Sequence, residues 1–191
     1  MKVSKINSFK ILTSLSLSIL LLMSSCADSN NKRKTESKVI APKVSIQTAV
    51  MSNNLEIIKQ HIEVGTNINV KDQMTGSTPL ITAVVFGKTA IVKALIEAKA
   101  DLSIKNNDGA TALHSAAFFC HVEIVQMLVD AKADKTIKNN FGATPRESIM
   151  GPFKTMEPIY KMLQQQLEPM GLKIDLADIE KKRPIIAIML K

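Results

Sequence analysis

Residues that commonly carry chemistry are scarce in this sequence. Its 191 residues include three histidines (His61, His114, His121) and two cysteines (Cys26, Cys120), one tyrosine and no tryptophan. No nucleophile stands in a recognisable arrangement with a histidine base, and no glycine-rich phosphate loop occurs. His114 and His121 suggest a metal pair, but no further ligand cluster completes a first shell, so neither a metal nor a cofactor is expected. Basic residues outnumber acidic ones, 25 to 17, for a formal charge of +8. The excess is not arranged as a basic stripe interleaved with aromatics, which makes nucleic acid a poor partner. Long apolar runs are also missing. The longest candidate, Ile11 to Met23, has thirteen residues, short of the ~20 that span a hydrocarbon core.

That apolar run reads instead as part of an export signal. Lys2, Lys5 and Lys10 precede it and Ser24-Ser25-Cys26 follows, giving a charged region, an apolar region and a small-residue cleavage site. Two small residues before one cysteine look like the lipobox of bacterial lipoproteins, in which that cysteine is acylated and becomes the mature first residue. Met23 departs from the leucine usual three positions before it. The expectation is a signal peptide over 1–25, lipid on Cys26 and stable anchorage in the bilayer; a plain secretory signal cut nearby is the alternative. Ala27 after the cysteine favours the outer membrane, facing the periplasm, under the enteric sorting rule, with surface exposure as the other outcome. Loss of the three lysines lowers the formal charge from +8 to +5. Residues 26–43, with Lys32-Arg33-Lys34, Lys38 and Lys43, hold too little apolar surface for a core and read as a flexible basic tether. As a coil it holds the following domain ~20 to 25 Å from the lipid. Its cations either contact anionic headgroups or are simply solvated.

From residue 44 onward a motif recurs: Gly76-Ser77-Thr78-Pro79-Leu80, Gly109-Ala110-Thr111-Ala112-Leu113 and Gly142-Ala143-Thr144-Pro145-Arg146. The glycines are 33 residues apart twice over, which marks a repeated supersecondary unit. Each Thr can cap a helix, and Pro suits a first turn because its missing donor would be unpaired there anyway. Ile91, Val92, Leu95 and Ile96, then Ile124, Val125, Leu128 and Val129, place four apolar side chains on one helical stripe. These residues resemble the ankyrin repeat family. The resemblance implies an all-α solenoid of about four helix-turn-helix units, at 45–71, 72–105, 106–138 and 139–168, with a C-terminal helical cap at 169–191. The first unit lacks the Thr-Pro-Leu opening, and one extra residue between Asp72 and Thr75 makes its spacing to the second 34. The fourth has Arg146 and Glu147 where the family has Leu-His, and inserts Gly151-Pro152 before a helix expected over Pro158 to Leu167. The tail reads as two short helices broken at Arg183-Pro184.

The resemblance also assigns roles. His114 takes the family's histidine position, used for hydrogen bonds between neighbouring units, and reads as a strut. His61 reads as a polar substitution on an end repeat. Cys120 stands where the family has the glycine ending the inner helix; it is read as a small packing residue, with a reactive turn thiol as the other reading. If Cys26 carries lipid, no internal disulfide can form. Partner contacts in the family come from the turn tips and inner-helix ends, which here are Met51, Val85, Phe86, Asn107, Asp108, Phe118, Phe119, Asn140 and Phe141. Four of the six phenylalanines fall in this set; they form an interface, or some of them turn into the core or are covered by the C-terminal tail or the tether. The functional expectation is a monomeric, membrane-tethered module that binds another protein and catalyses nothing. Some bacterial ankyrin lipoproteins neutralise toxins or lipases in the periplasm, so an immunity or inhibitor role is implied. An envelope adaptor or stress-protection scaffold is the alternative, and an enzyme using Cys120 and His121 is the remote one.

Overall fold

The computed structural model describes residues 41–191. The signal peptide, Cys26 and nearly all of the tether lie outside the described residues. Six helices come in pairs: α1 (Ile46–Met51) with α2 (Leu55–Glu63), α3 (Pro79–Val85) with α4 (Thr89–Glu97), and α5 (Ala112–Phe118) with α6 (Val122–Asp130). Within each pair the helices pack on each other, α1, α3 and α5 stack into an inner layer, and α2, α4 and α6 stack into an outer one. Ile91, Val92, Leu95, Ile124, Val125 and Leu128 are buried and Ile96 and Val129 partly so, as the spacing predicts. Each such side chain contributes ~1.5 to 3 kcal/mol by leaving water, so stacking rather than helix propensity holds helices this short.

Capping fixes where the helices start. The Thr78 hydroxyl accepts from the Ile81 N–H, with Pro79 in the first turn, and Ser45 and Asn54 cap α1 and α2 in the same way. The helix ends are equally regular. Asn53, Gly87 and Cys120 close the inner helices and Gly65, Lys99 and Lys132 the outer ones, all with φ between 54° and 73°. A non-glycine residue there costs ~1 to 2 kcal/mol, which the packing on either side offsets. The extra residue of the first spacing lies inside a turn tip. Asp72 closes the Asp72–Gly76 turn by accepting from the N–H groups of Met74, Thr75 and Ser77. Its burial raises the carboxyl pKa, but a hydrogen bond from the Thr75 hydroxyl together with these backbone ones outweighs that and leaves it below the ordinary value.

The last segment departs from expectation three times. The Thr144-Pro145 opening starts only a 3-10 turn, Glu147–Ile149. Thr144 and Glu147 cap each other reciprocally, but Gly151-Pro152 stops the backbone from continuing as a helix. The next helix, α7 (Phe153–Leu167), begins five residues before Pro158 rather than at it. The tail, expected as two helices, is one: α8 (Leu176–Met189), with Pro184 inside it. Pro184 and Pro158 both lie on exposed faces, where water can satisfy the carbonyl that each leaves without a donor. Ile179, Arg183, Ile186 and Leu190 line the buried side of α8 and carry it through the proline. The 3-10 turn packs on α5 and α8 packs on α6. The outer layer is therefore completed by α8, with α7 inserted between the two halves of the last unit.

Candidate functional site

The turn tips form a ladder. Asn107 donates its backbone N–H to the Thr75 carbonyl (2.8 Å) and its Nδ2 to that of Met74 (2.9 Å). Asn140 repeats the arrangement one unit on, donating from its backbone to Asp108 (2.9 Å) and from Nδ2 to Asn107 (2.8 Å). Both asparagines predicted to face a partner thus use their amides to hold neighbouring tips together. The ladder explains two glycines. Gly76 and Gly109 have φ of 68° and 73°, and a Cβ on either would come within 2.3 Å of the next asparagine's Oδ1. Asp108 is exposed, and at the last tip Phe141 is 81% exposed; Met74, in the first tip of the ladder, is 89% exposed.

At the inner-helix ends, Met51, Val85, Phe86, Phe118 and Phe119 are all partly buried. Phe118 and Phe119 meet edge to face at 5.1 Å. The exposed side of Phe118 is taken by α7: the Tyr160 ring lies 4.7 Å away and its hydroxyl donates to the Phe118 carbonyl at 2.7 Å. Tyr160 is fully buried, and that burial pushes its pKa up to about 12. The contact narrows the aromatic stripe to Phe86 and Phe119, with Phe141 at the tip. Tyr160 escaped the sequence reading, although it is the single tyrosine of the chain.

The histidines serve the backbone. The Thr111 N–H donates to His114 Nδ1 (3.2 Å), so Nε2 carries the proton and donates to the Ala143 carbonyl of the next unit (3.1 Å). Burial lowers its pKa. His61 bridges Thr66 (3.0 Å) and the Val44 carbonyl (2.8 Å). His121 lies against Gly87, stacks on Phe119 at 6.1 Å and, through burial, also has a lowered pKa. Cys120 is 2% exposed, and burial pushes its thiol up to about 11, far from a reactive thiolate. Among the described residues, no group of three or more His, Cys, Asp or Glu side chains converges on a metal-sized site. No helix among them is long and apolar enough to cross a membrane.

A tip-helix-helix unit with Thr-capped inner helices, a histidine strut and a glycine-dependent tip ladder is a specific combination. Residues 46–139 match the family model for ankyrin repeats in three copies. This segment is an ankyrin-repeat array. Among curated proteins, it is similar to protein phosphatase 1 regulatory subunit 27 of Mus musculus, 37% identical over 40% of this chain and 51% of that one. It is similar also to the putative ankyrin repeat protein FPV219 of Fowlpox virus (strain NVSL), 39% identical over 32% of this chain and 14% of that one. A third relative is the E3 ubiquitin-protein ligase KEG of Arabidopsis thaliana, 28% identical over 35% of this chain and 4% of that one. The matched regions thus span from a twenty-fifth to about half of these relatives' lengths. Among solved structures, the ankyrin repeat domain of Bcl-3, a unique member of the IkappaB protein family, superposes with a TM-score of 0.53 at 30% identity, over 54% of this chain and 45% of that one. An ankyrin-repeat array is a protein–protein interaction module.

Proposed function

We propose that this protein is a lipid-anchored inhibitor or immunity protein of a bacterial envelope, holding a partner protein against the inner-helix ends and turn tips of its repeats. The observation that carries the reading is the set of aromatic groups that the fold leaves at least partly exposed: Phe86 and Phe119 at adjacent inner-helix ends, and Phe141 at 81% exposure on the last tip. Aromatic anchors supply a large share of binding energy in protein interfaces. Protein phosphatase 1 regulatory subunit 27 is by its name a regulator of an enzyme, which supports a role in controlling another protein. The sequence Ser24-Ser25-Cys26 supports the anchor, and an anchored blocker suits a partner that acts near a membrane.

The test is capture of partners from native envelope extract by the full chain and by a Phe86→Asp/Phe119→Asp variant of matched unfolding midpoint. One enzyme or toxin held by the first, lost by the second and inhibited on binding is the expected result. A partner indifferent to both substitutions would overturn the assigned face. Cys26→Ser should move the protein from the membrane to the soluble fraction, and unchanged partition would rule out the lipid anchor.

A further inference from the structure

The C-terminal end of the solenoid carries an uncompensated positive charge. Arg183 is 5% exposed, its Nη2 donates to the carbonyls of Ile149 and Gly151 (both 2.6 Å), and its guanidinium lies 5.7 Å from the Phe153 ring centroid. Nη1 has no hydrogen-bond partner among the described residues. The ion pairs among the described residues are Lys93–Glu97, Lys161–Glu157 and Lys182–Asp178, so no carboxylate forms an ion pair with this buried cation. Removing a charge from water without a counter-charge is among the most expensive things a fold can do. Arg183 lines a cleft of about 450 Å³ between the 149–153 turn and α8, together with Arg146 and Lys191. Arg146 makes one hydrogen bond among the described residues, from Nε to the Ala187 carbonyl (3.0 Å), which leaves its two terminal nitrogens for a ligand. Glu180, exposed and in no ion pair, is the single acid on the lining.

From this we infer that the cleft is a second binding site, for a carboxylate-bearing apolar segment of a partner protein. Two guanidinium groups beside one acidic side chain call for an anion. The rim selects the source, because Met150 is 53% and Ile188 64% exposed beside Phe153. A free inorganic anion leaves those side chains in water, whereas a peptide with an aspartate or glutamate next to leucine or phenylalanine covers them while its carboxylate meets the terminal nitrogens of Arg146, with the enclosed Arg183 adding its charge from behind. The chain's own Lys32-Arg33-Lys34 segment has the wrong charge for the site. The inference is independent of the aromatic face assigned above, since it uses none of its residues.

An array of immobilised ten-residue peptides with Leu, Phe, Asp and Asn randomised, probed with the full chain, tests it. Bound peptides should favour Asp over Asn by about tenfold or more at one position, the discrimination expected of a charge-assisted hydrogen bond. Arg146→Gln should abolish that preference and Ile188→Asp the binding, at unchanged unfolding midpoints, while Phe86→Asp should leave both intact. No bound peptides, no preference for Asp, or a preference that survives Arg146→Gln would overturn the site. Binding of inorganic phosphate alone, with no selection among peptides, would make it a small-anion site and overturn the peptide assignment.

Discussion

The two middle units and the final one are built from the same opening motif and end differently. At Thr78 and Thr111 the motif leads into a full inner helix; at Thr144 it gives a 3-10 turn and a detour. The middle units continue because Leu80 and Leu113 follow the cap and enter the core, each 1% exposed. In the last unit Arg146 stands at that position and reaches across to the Ala187 carbonyl, and Gly151-Pro152 then ends the turn. The comparison shows that stacking is specified by layer rather than by sequence order. The outer layer needed a helix that could bury one face, and α8, starting 27 residues beyond the 3-10 turn, supplies it with Ile179, Arg183 and Ile186. The insertion changes the surface as well, since α7 covers Phe118 and the α8 junction creates the cationic cleft.

The comparison breaks most visibly if α8 is not a true outer helix. Leu128→Ala in α6 should cost ~2 to 5 kcal/mol, and Ile186→Ala, 0% exposed in α8, should fall in the same range by urea unfolding. A negligible cost for Ile186 would detach α8 from the stack. Next come the tips. Gly109→Ala meets both a left-handed φ and the Asn140 backbone, at 2.6 Å from the added Cβ, whereas Gly142→Ala meets only the φ, with nothing within 4 Å. Costs of ~2 to 4 kcal/mol and ~1 to 2 kcal/mol are expected; equal costs would remove the tip ladder as a source of stability. Pro184→Ala should stabilise by ~1 to 3 kcal/mol, because it restores a helix hydrogen bond at the price of a looser unfolded chain. A loss instead would mean that the proline serves the fold of α8.

The smallest effect is expected of pH. His114 and His121 both have pKa values lowered by burial. The unfolded chain therefore binds the proton first as pH falls below ~6.5, so stability is full above that value and declines beneath it. Urea midpoints at pH 8.0 and 5.5 should show the decline, and His114→Gln should lessen it. A midpoint that rises on acidification would reverse the assigned sign.

Much of this was legible in the residues because the middle units repeat a local pattern. The caps at Thr78 and Thr111, the stripes Ile91 to Ile96 and Ile124 to Val129, and the His114 strut each follow from spacing within one unit. What failed to show were features decided between units. Pro184 looked like a break because a proline disfavours helical backbone at the residue before it, whereas packing of Arg183 and Ile186, a feature of the stack, holds the helix through it. Tyr160 and Arg183 lie 42 and 34 residues from the carbonyls of Phe118 and Ile149 that they contact, so no local periodicity points to them. One signal was available: Arg183 falls in the buried register of Ile179, Ile186 and Leu190, where a charged residue asks for a partner.

Both proposed binding surfaces depend on the last segment docking as described, since the narrowed aromatic stripe needs α7 and the cleft needs α8. Native-state hydrogen exchange on the full chain tests this most directly. The amides of α8 from residue 179 to 190 should be protected to within about tenfold of those in α6, as members of one cooperative stack. Exchange of α8 near the unprotected rate, with α6 still slow, would contradict the account.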